Sequence, residues 1–308
     1  MPVRILAAAI MCLALAFPAS AREKNKAEAP APAPPLFKVS DEDSTLYLFA
    51  TIGAPASDKS WRTRAISRAI DKSETMWFEA PVDDPAAMET ANRIFAERAP
   101  APAGAHLTDG LDETSLGALE NAAAAAELTM AALSPLRPWA AFVLLSGRVH
   151  AGAAGAPVEA AIRAEADSRG RPVRFLFSIE ESLALLTDMP AETERRLLIA
   201  AARDFSRQRA DAPADFAAWR AGDLAAVDAS LNAPLRQGAP GAFDLLVVKR
   251  NREIAARLAA ILSEPGTAFV TLNAGYLAGE ASLLDDLSAL GLMIERIDEA
   301  AGAGGNLP

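Results

Sequence analysis

The chain has 308 residues, 51% of them hydrophobic, and a formal charge of −10. That content can bury a sizeable core and suits one large domain. The acidic balance excludes a nucleic-acid reader or a protein held on anionic lipid by charge, since both need clustered Lys and Arg. The only cysteine, Cys12, excludes a disulfide framework.

Residues 1–21 have a basic start at Arg4, an apolar centre from Ile5 to Phe17 and an Ala19-Ser20-Ala21 cleavage site, the pattern of a secretory signal peptide. The apolar run is shorter than the roughly 20 residues a spanning helix needs. Met11, ahead of Cys12, is not the small residue that precedes a lipidated cysteine. Cleavage at Ala21 leaves 29 basic residues against 40 acidic ones, a net of −11, and no thiol. Residues 22–35 alternate Ala and Pro after a charged start and read as a disordered tether. The folded domain is expected over residues 36–299, with a flexible tail at 300–308.

The stretch that organises the domain is Thr45 to Gly53, whose unbroken apolar core, Leu46 to Ala50, predicts a strand buried on both faces in the middle of a sheet. Leu36 to Val39 before it predicts an edge hairpin. The loop from Gly53 starts where open α/β sheets place their sites. Thr267 to Gly279 repeats the plan of an apolar strand running into a small-residue turn, so the two stretches predict matching halves of one cleft.

Between them the periodicity predicts a helix over 60–70 and a second buried strand over Thr75 to Ala80, lying beside the first and ending on Glu79. Helices follow over 85–97, 115–133, 138–145 and 158–168. A strand over Pro172 to Ser178 leads to a helix over 179–186, and further helices cover 191–208, 214–220 and 223–231, with Pro190, Pro213 and Pro234 as punctuation. His106 and His150 lie in separate loops and form no metal motif. In the helix near Phe243 to Leu262, Arg250 shares a stripe with Ile254, Leu258 and Ile261. An inward guanidinium needs a carboxylate or several carbonyls. Glu79 is the named partner; the alternative is a packed stem whose head reaches water. The chain closes with a helix over 281–290 and a strand over 292–297.

Taken in order, Pro-Pro-Leu-Phe-Lys-Val with Tyr-Leu-Phe-Ala-Thr-Ile-Gly, Phe-Glu-Ala, Gly-Arg-Pro-Val-Arg-Phe-Leu-Phe-Ser-Ile-Glu-Glu-Ser-Leu, Lys-Arg-Asn-Arg and Asn-Ala-Gly-Tyr-Leu-Ala-Gly resemble the TraB/GumN family, which includes the Tiki-type metalloproteases. The resemblance runs from Pro35 to about Ile297. It implies an α/β fold, a mixed sheet flanked by many helices, with a site assembled from both halves. In typical members the first strand ends in Gly-Thr-x-His, the middle one in Leu-Glu-Thr and the last in Gly-x-x-His, a set suited to a divalent-metal hydrolase. This chain carries Gly53 and Phe177 at the first histidine and the glutamate, and Asn273 and Tyr276 at the last glycine and histidine. Glu79, Arg250 and Asn251 stand where the family would have them.

The leading expectation is an exported protein of the bacterial envelope, periplasmic or secreted, that keeps the cleft without a cofactor or metal and binds a small molecule or peptide segment. It involves no nucleic acid and no membrane span. Gly53, Glu79, Phe177, Arg250, Asn251, Asn273 and Tyr276 are the expected pocket residues. The alternatives are a metal-dependent peptidase with Glu79 and substitute ligands such as Asp58, His150 or Glu180, and a metal-free hydrolase with Glu79 as base and Tyr276 as acid.

Overall fold

The computed structural model describes residues 32–149 and 156–298. The signal segment, residues 22–31 of the tether, His150 and the tail lie outside the described residues. Among those described, no helix is long and apolar enough to cross a membrane.

The strands are β1 (Leu36–Ser40), β2 (Ser44–Thr51), β3 (Thr75–Phe78), β4 (Val173–Phe175), β5 (Gly266–Asn273) and β6 (Met293–Arg296). They form one mixed sheet in the order β4-β3-β5-β2-β1-β6. β2, β5, β3 and β4 run parallel to one another, while β1 is antiparallel to β2 and β6 to β1. β2 is central because its run Leu46-Tyr47-Leu48-Phe49-Ala50 is buried at every position, which only a strand covered on both faces can sustain. Asp41 starts it by closing the β1–β2 turn: its Oδ1 accepts from the Ser44 amide at 2.9 Å. Trp219 closes the other end, donating its indole N–H to the Ala50 carbonyl at 2.7 Å. The Arg64–Lys72 helix packs on β5 and the Arg250–Leu262 helix on β2.

Several sequence expectations are corrected. β1 is not an edge, because β6 pairs along its open side. β3 does not lie beside β2; β5 is inserted between them. The expected seven-residue middle strand is only Val173–Phe175. The expected 115–133 helix breaks into Glu113–Ala125 and Met130–Leu133, with Glu127 between them at a left-handed φ of 58°. Pro213 does not end a helix: Ala191–Arg220 is continuous over 30 residues. Pro213 is exposed there, so the carbonyl it leaves unbonded one turn back can be solvated. This long helix shares a second apolar cluster, around Leu119, Leu133, Leu198 and Phe205, with the Glu113–Ala125 and Pro138–Val149 helices. The helix entering Arg250 contains a wider π-helical turn, Asp244–Lys249, and another, Asp228–Asn232, precedes Ala233.

Because β2 holds the sheet together, Leu48→Ala should cost about 2–5 kcal/mol, the range for truncating a fully buried leucine. Val82→Ala, at a side chain 66% exposed, should stay within about 0.5 kcal/mol of the parent. Urea unfolding of both variants checks the contrast.

Candidate functional site

Parallel pairing brings the C-terminal ends of four strands to one edge of the sheet. The register sets Thr51 of β2 opposite Asn273 of β5, and Phe78 of β3 opposite Phe175 of β4. Beyond β3 the pairing runs on, with the Phe177 amide donating to the Glu79 carbonyl at 2.9 Å. Glu79, Phe177, Asn273 and Gly53 therefore all sit at this edge.

Glu79 is the centre of a compact network. Tyr276 donates its hydroxyl to Glu79 Oε1 at 2.8 Å. Arg250 Nη2 lies 3.8 Å from the same oxygen, so the pair expected from the helix stripe is present, as a loose one. Arg250 is 1% exposed. Its Cζ lies 3.1 Å from the centroid of the Phe177 ring, its Nη2 donates to Ser182 Oγ at 3.4 Å, and its Nη1 is 3.6 Å from Glu253. Arg257, one heptad on, stacks on the same ring at 4.1 Å and pairs with Glu181 at 2.7 Å.

Two buried asparagines fix the turn that carries Tyr276. Asn251 donates to the carbonyls of Tyr276 (3.2 Å) and Ala281 (3.0 Å), and Asn232 to those of Gly275 (2.8 Å) and Ala278 (3.2 Å). Asn273 caps the turn, its Oδ1 accepting from the Gly275 amide at 2.8 Å. Gly279 closes it at φ +77°, where any Cβ would stand 2.0 Å from Asp228 Oδ1. A glycine is required there.

Gly53 stands apart from the network. Its amide donates to Glu159 Oε1 at 3.3 Å, and among the described residues, its two chain neighbours aside, no atom lies within 4 Å of the place a Cβ would take. Of the expected pocket residues, Glu79, Phe177, Arg250 and Tyr276 form one contact network, Asn251 and Asn273 support it through the turn, and Gly53 meets Glu159 instead. Phe177 and Arg250 also wall an adjacent cavity of about 390 Å³ whose other walls include Leu185, Met189 and Leu245; Glu79 and Tyr276 are not among its lining residues. A larger cavity of about 600 Å³, beside Arg195 and Arg203 in the helical layer, contains none of the site residues.

Ser182, Asn232, Glu159 and Arg257 were not anticipated. Only Arg257 had a readable signal, since a position seven residues beyond Arg250 falls on the same helix face.

Electrostatically, Glu79 keeps 31% of its side chain exposed, yet its carboxyl loses much of its hydration to the protein around it. That desolvation raises its carboxyl above the ordinary 4.5, against the lowering effects of the Tyr276 hydrogen bond and the Arg250 charge. The Tyr276 hydroxyl is pushed well above its usual value, first by desolvation and then by the Glu79 charge, so it remains a neutral donor.

The divalent ion implied by the resemblance does not fit this donor set. Glycine and phenylalanine offer no ligand, the phenol stays protonated and points its hydrogen at the carboxylate, and a buried guanidinium beside Glu79 repels a dication. Of the substitutes named from the sequence, His150 lies outside the described residues and the other two are not placed as ligands. Asp58 is ion-paired with Arg220 and caps the short turn at Ser60, and Glu180 is exposed. Among the described residues, no three His, Cys, Asp or Glu are grouped so as to hold a metal.

A native carboxyl that binds its proton more tightly than the unfolded one loses stability as pH rises through the interval between the two values. Glu79→Gln should therefore gain on the parent chain from about pH 4.5 upward, read as a widening difference in Tm. A difference that narrows with pH would mean a lowered carboxyl. Tyr276→Phe, which removes a lowering influence, should raise the Glu79 titration further, followed by NMR of the side-chain carboxyl carbon.

Comparison with curated proteins gave no match, and comparison with solved structures gave none either. The model of the TraB/PrgY/gumN family matches residues 35–296, which spans all six strands and every residue of the Glu79 network. The chain belongs to the TraB/PrgY/gumN family.

Proposed function

We propose that this chain is an exported, non-catalytic member of its family, which binds a small molecule or peptide segment at the C-terminal edge of its sheet. The observation that carries this reading is the Tyr276 hydroxyl at 2.8 Å from Glu79 Oε1, with Arg250 on the same oxygen. The carboxylate that a metal site would use is occupied by the protein's own donors. The cavity of about 390 Å³ beside Arg250 falls in the ~300–1,000 Å³ range of small-molecule pockets. Export rests on the composition of residues 1–21 and gives a mature chain starting at Arg22 in the periplasm or beyond.

A second reading, metal-free hydrolysis, has one observation in its favour: Glu79 is a raised carboxyl still open to solvent, as a general base would be. Against it, Tyr276 holds its proton too firmly to act as the matching acid.

The test uses the chain purified without added metal. Elemental analysis should find less than one divalent ion in ten molecules, and zinc, manganese or cobalt at equimolar concentration should leave Tm unchanged. A stoichiometric ion, together with peptide turnover that chelator and Glu79→Gln both abolish, would overturn the proposal in favour of a metallopeptidase. Turnover abolished by Glu79→Gln but untouched by chelator would establish the metal-free hydrolase instead.

A further inference from the structure

At the opposite edge of the sheet, where the parallel strands begin, lies a groove of about 370 Å³. Its floor is Trp77, placed there by strand alternation: Met76 and Phe78 are buried, while Thr75 and Trp77 are half-buried on the other face. Glu74 precedes β3, Glu264 follows the Arg250–Leu262 helix, and Arg174 stands on β4 in register with Trp77.

Three features converge on one ligand chemistry. Trp77 is the only one of the four tryptophans that is not fully buried; Trp61, Trp139 and Trp219 are 4%, 0% and 1% exposed. The ring already carries a cation, because the Arg174 guanidinium lies 5.7 Å from its centroid. The Glu74 and Glu264 side chains are exposed on the groove, and among the described residues neither forms an ion pair. An aromatic face flanked by unengaged carboxylates recognises organic cations by cation–π attraction and charge together.

We propose that this groove binds a small organic ammonium ion over Trp77, between Glu74 and Glu264, and that Arg174 is its built-in competitor. The guanidinium is tethered to an edge strand and exposed, so it can swing off the ring when a ligand cation takes its place. The site shares no residue with the Glu79 network.

The experiment follows tryptophan emission of the whole chain during titration with choline chloride and, separately, putrescine at constant ionic strength. A saturable change with either cation is expected, and the arm that responds tells a quaternary from a primary ammonium. Glu74→Gln combined with Glu264→Gln should weaken binding about tenfold. Arg174→Gln should tighten it about three- to fivefold. Arg68→Gln, the same charge change at an exposed position of the Arg64–Lys72 helix, should leave it unaltered. Trp77→Phe should abolish the optical signal. No saturable response to either cation, an unweakened double carboxamide variant, or equal behaviour of the Arg174 and Arg68 variants would each overturn the proposal.

Discussion

The carboxylate of Glu79 constrains everything around it. A desolvated strand-end carboxyl must be neutralised or supplied with donors, and this chain does the latter from two distant segments, Tyr276 after β5 and Arg250 from the preceding helix. Arg250 in turn cannot stand alone at 1% exposure, so it rests on the Phe177 ring and reaches Ser182 and Glu253. The end of β3, the late helix and the last βα turn thus meet through one oxygen.

The supports of this contact are unusual pieces of backbone. The π-helical turn Asp244–Lys249 ends immediately before Arg250, and Asp228–Asn232 ends on the asparagine that braces the Tyr276 turn. A wider turn shifts the side-chain phase by one residue, and such segments concentrate at functional positions. Here one ends just before the buried Arg250 and the other on the buried Asn232. The side chains that meet here supply donors to a carboxylate.

How far the sequence discloses this depends on whether the signal is local. The β2 run and the Thr267–Asn273 run are visible because an uninterrupted apolar segment has few other homes. The Glu79–Arg250 pair is visible because a charge on an apolar stripe demands a partner. The placement of β5 between β2 and β3 is not, since strand neighbours far apart in the chain leave no trace in either segment. Nor are the π-helical turns, which break the 3.6-residue period used to read a helix, or the continuity through Pro213, which depends on that residue facing water. Tyr276 reads from the sequence as a lost ligand; its role as the donor that occupies Glu79 needs the three-dimensional arrangement.

The same helix that closes the Glu79 network at its start walls the Trp77 groove at its end. The sheet therefore offers two chemically distinct edges: one where a carboxylate is satisfied internally, and one where two carboxylates are not. Crystals grown with zinc or manganese and measured at the metal's absorption edge address the first edge directly. The anomalous map should be flat at Glu79, with the Tyr276 hydroxyl still within hydrogen-bond distance of Oε1. A metal peak on Glu79 with Tyr276 displaced would contradict the occupied-carboxylate reading.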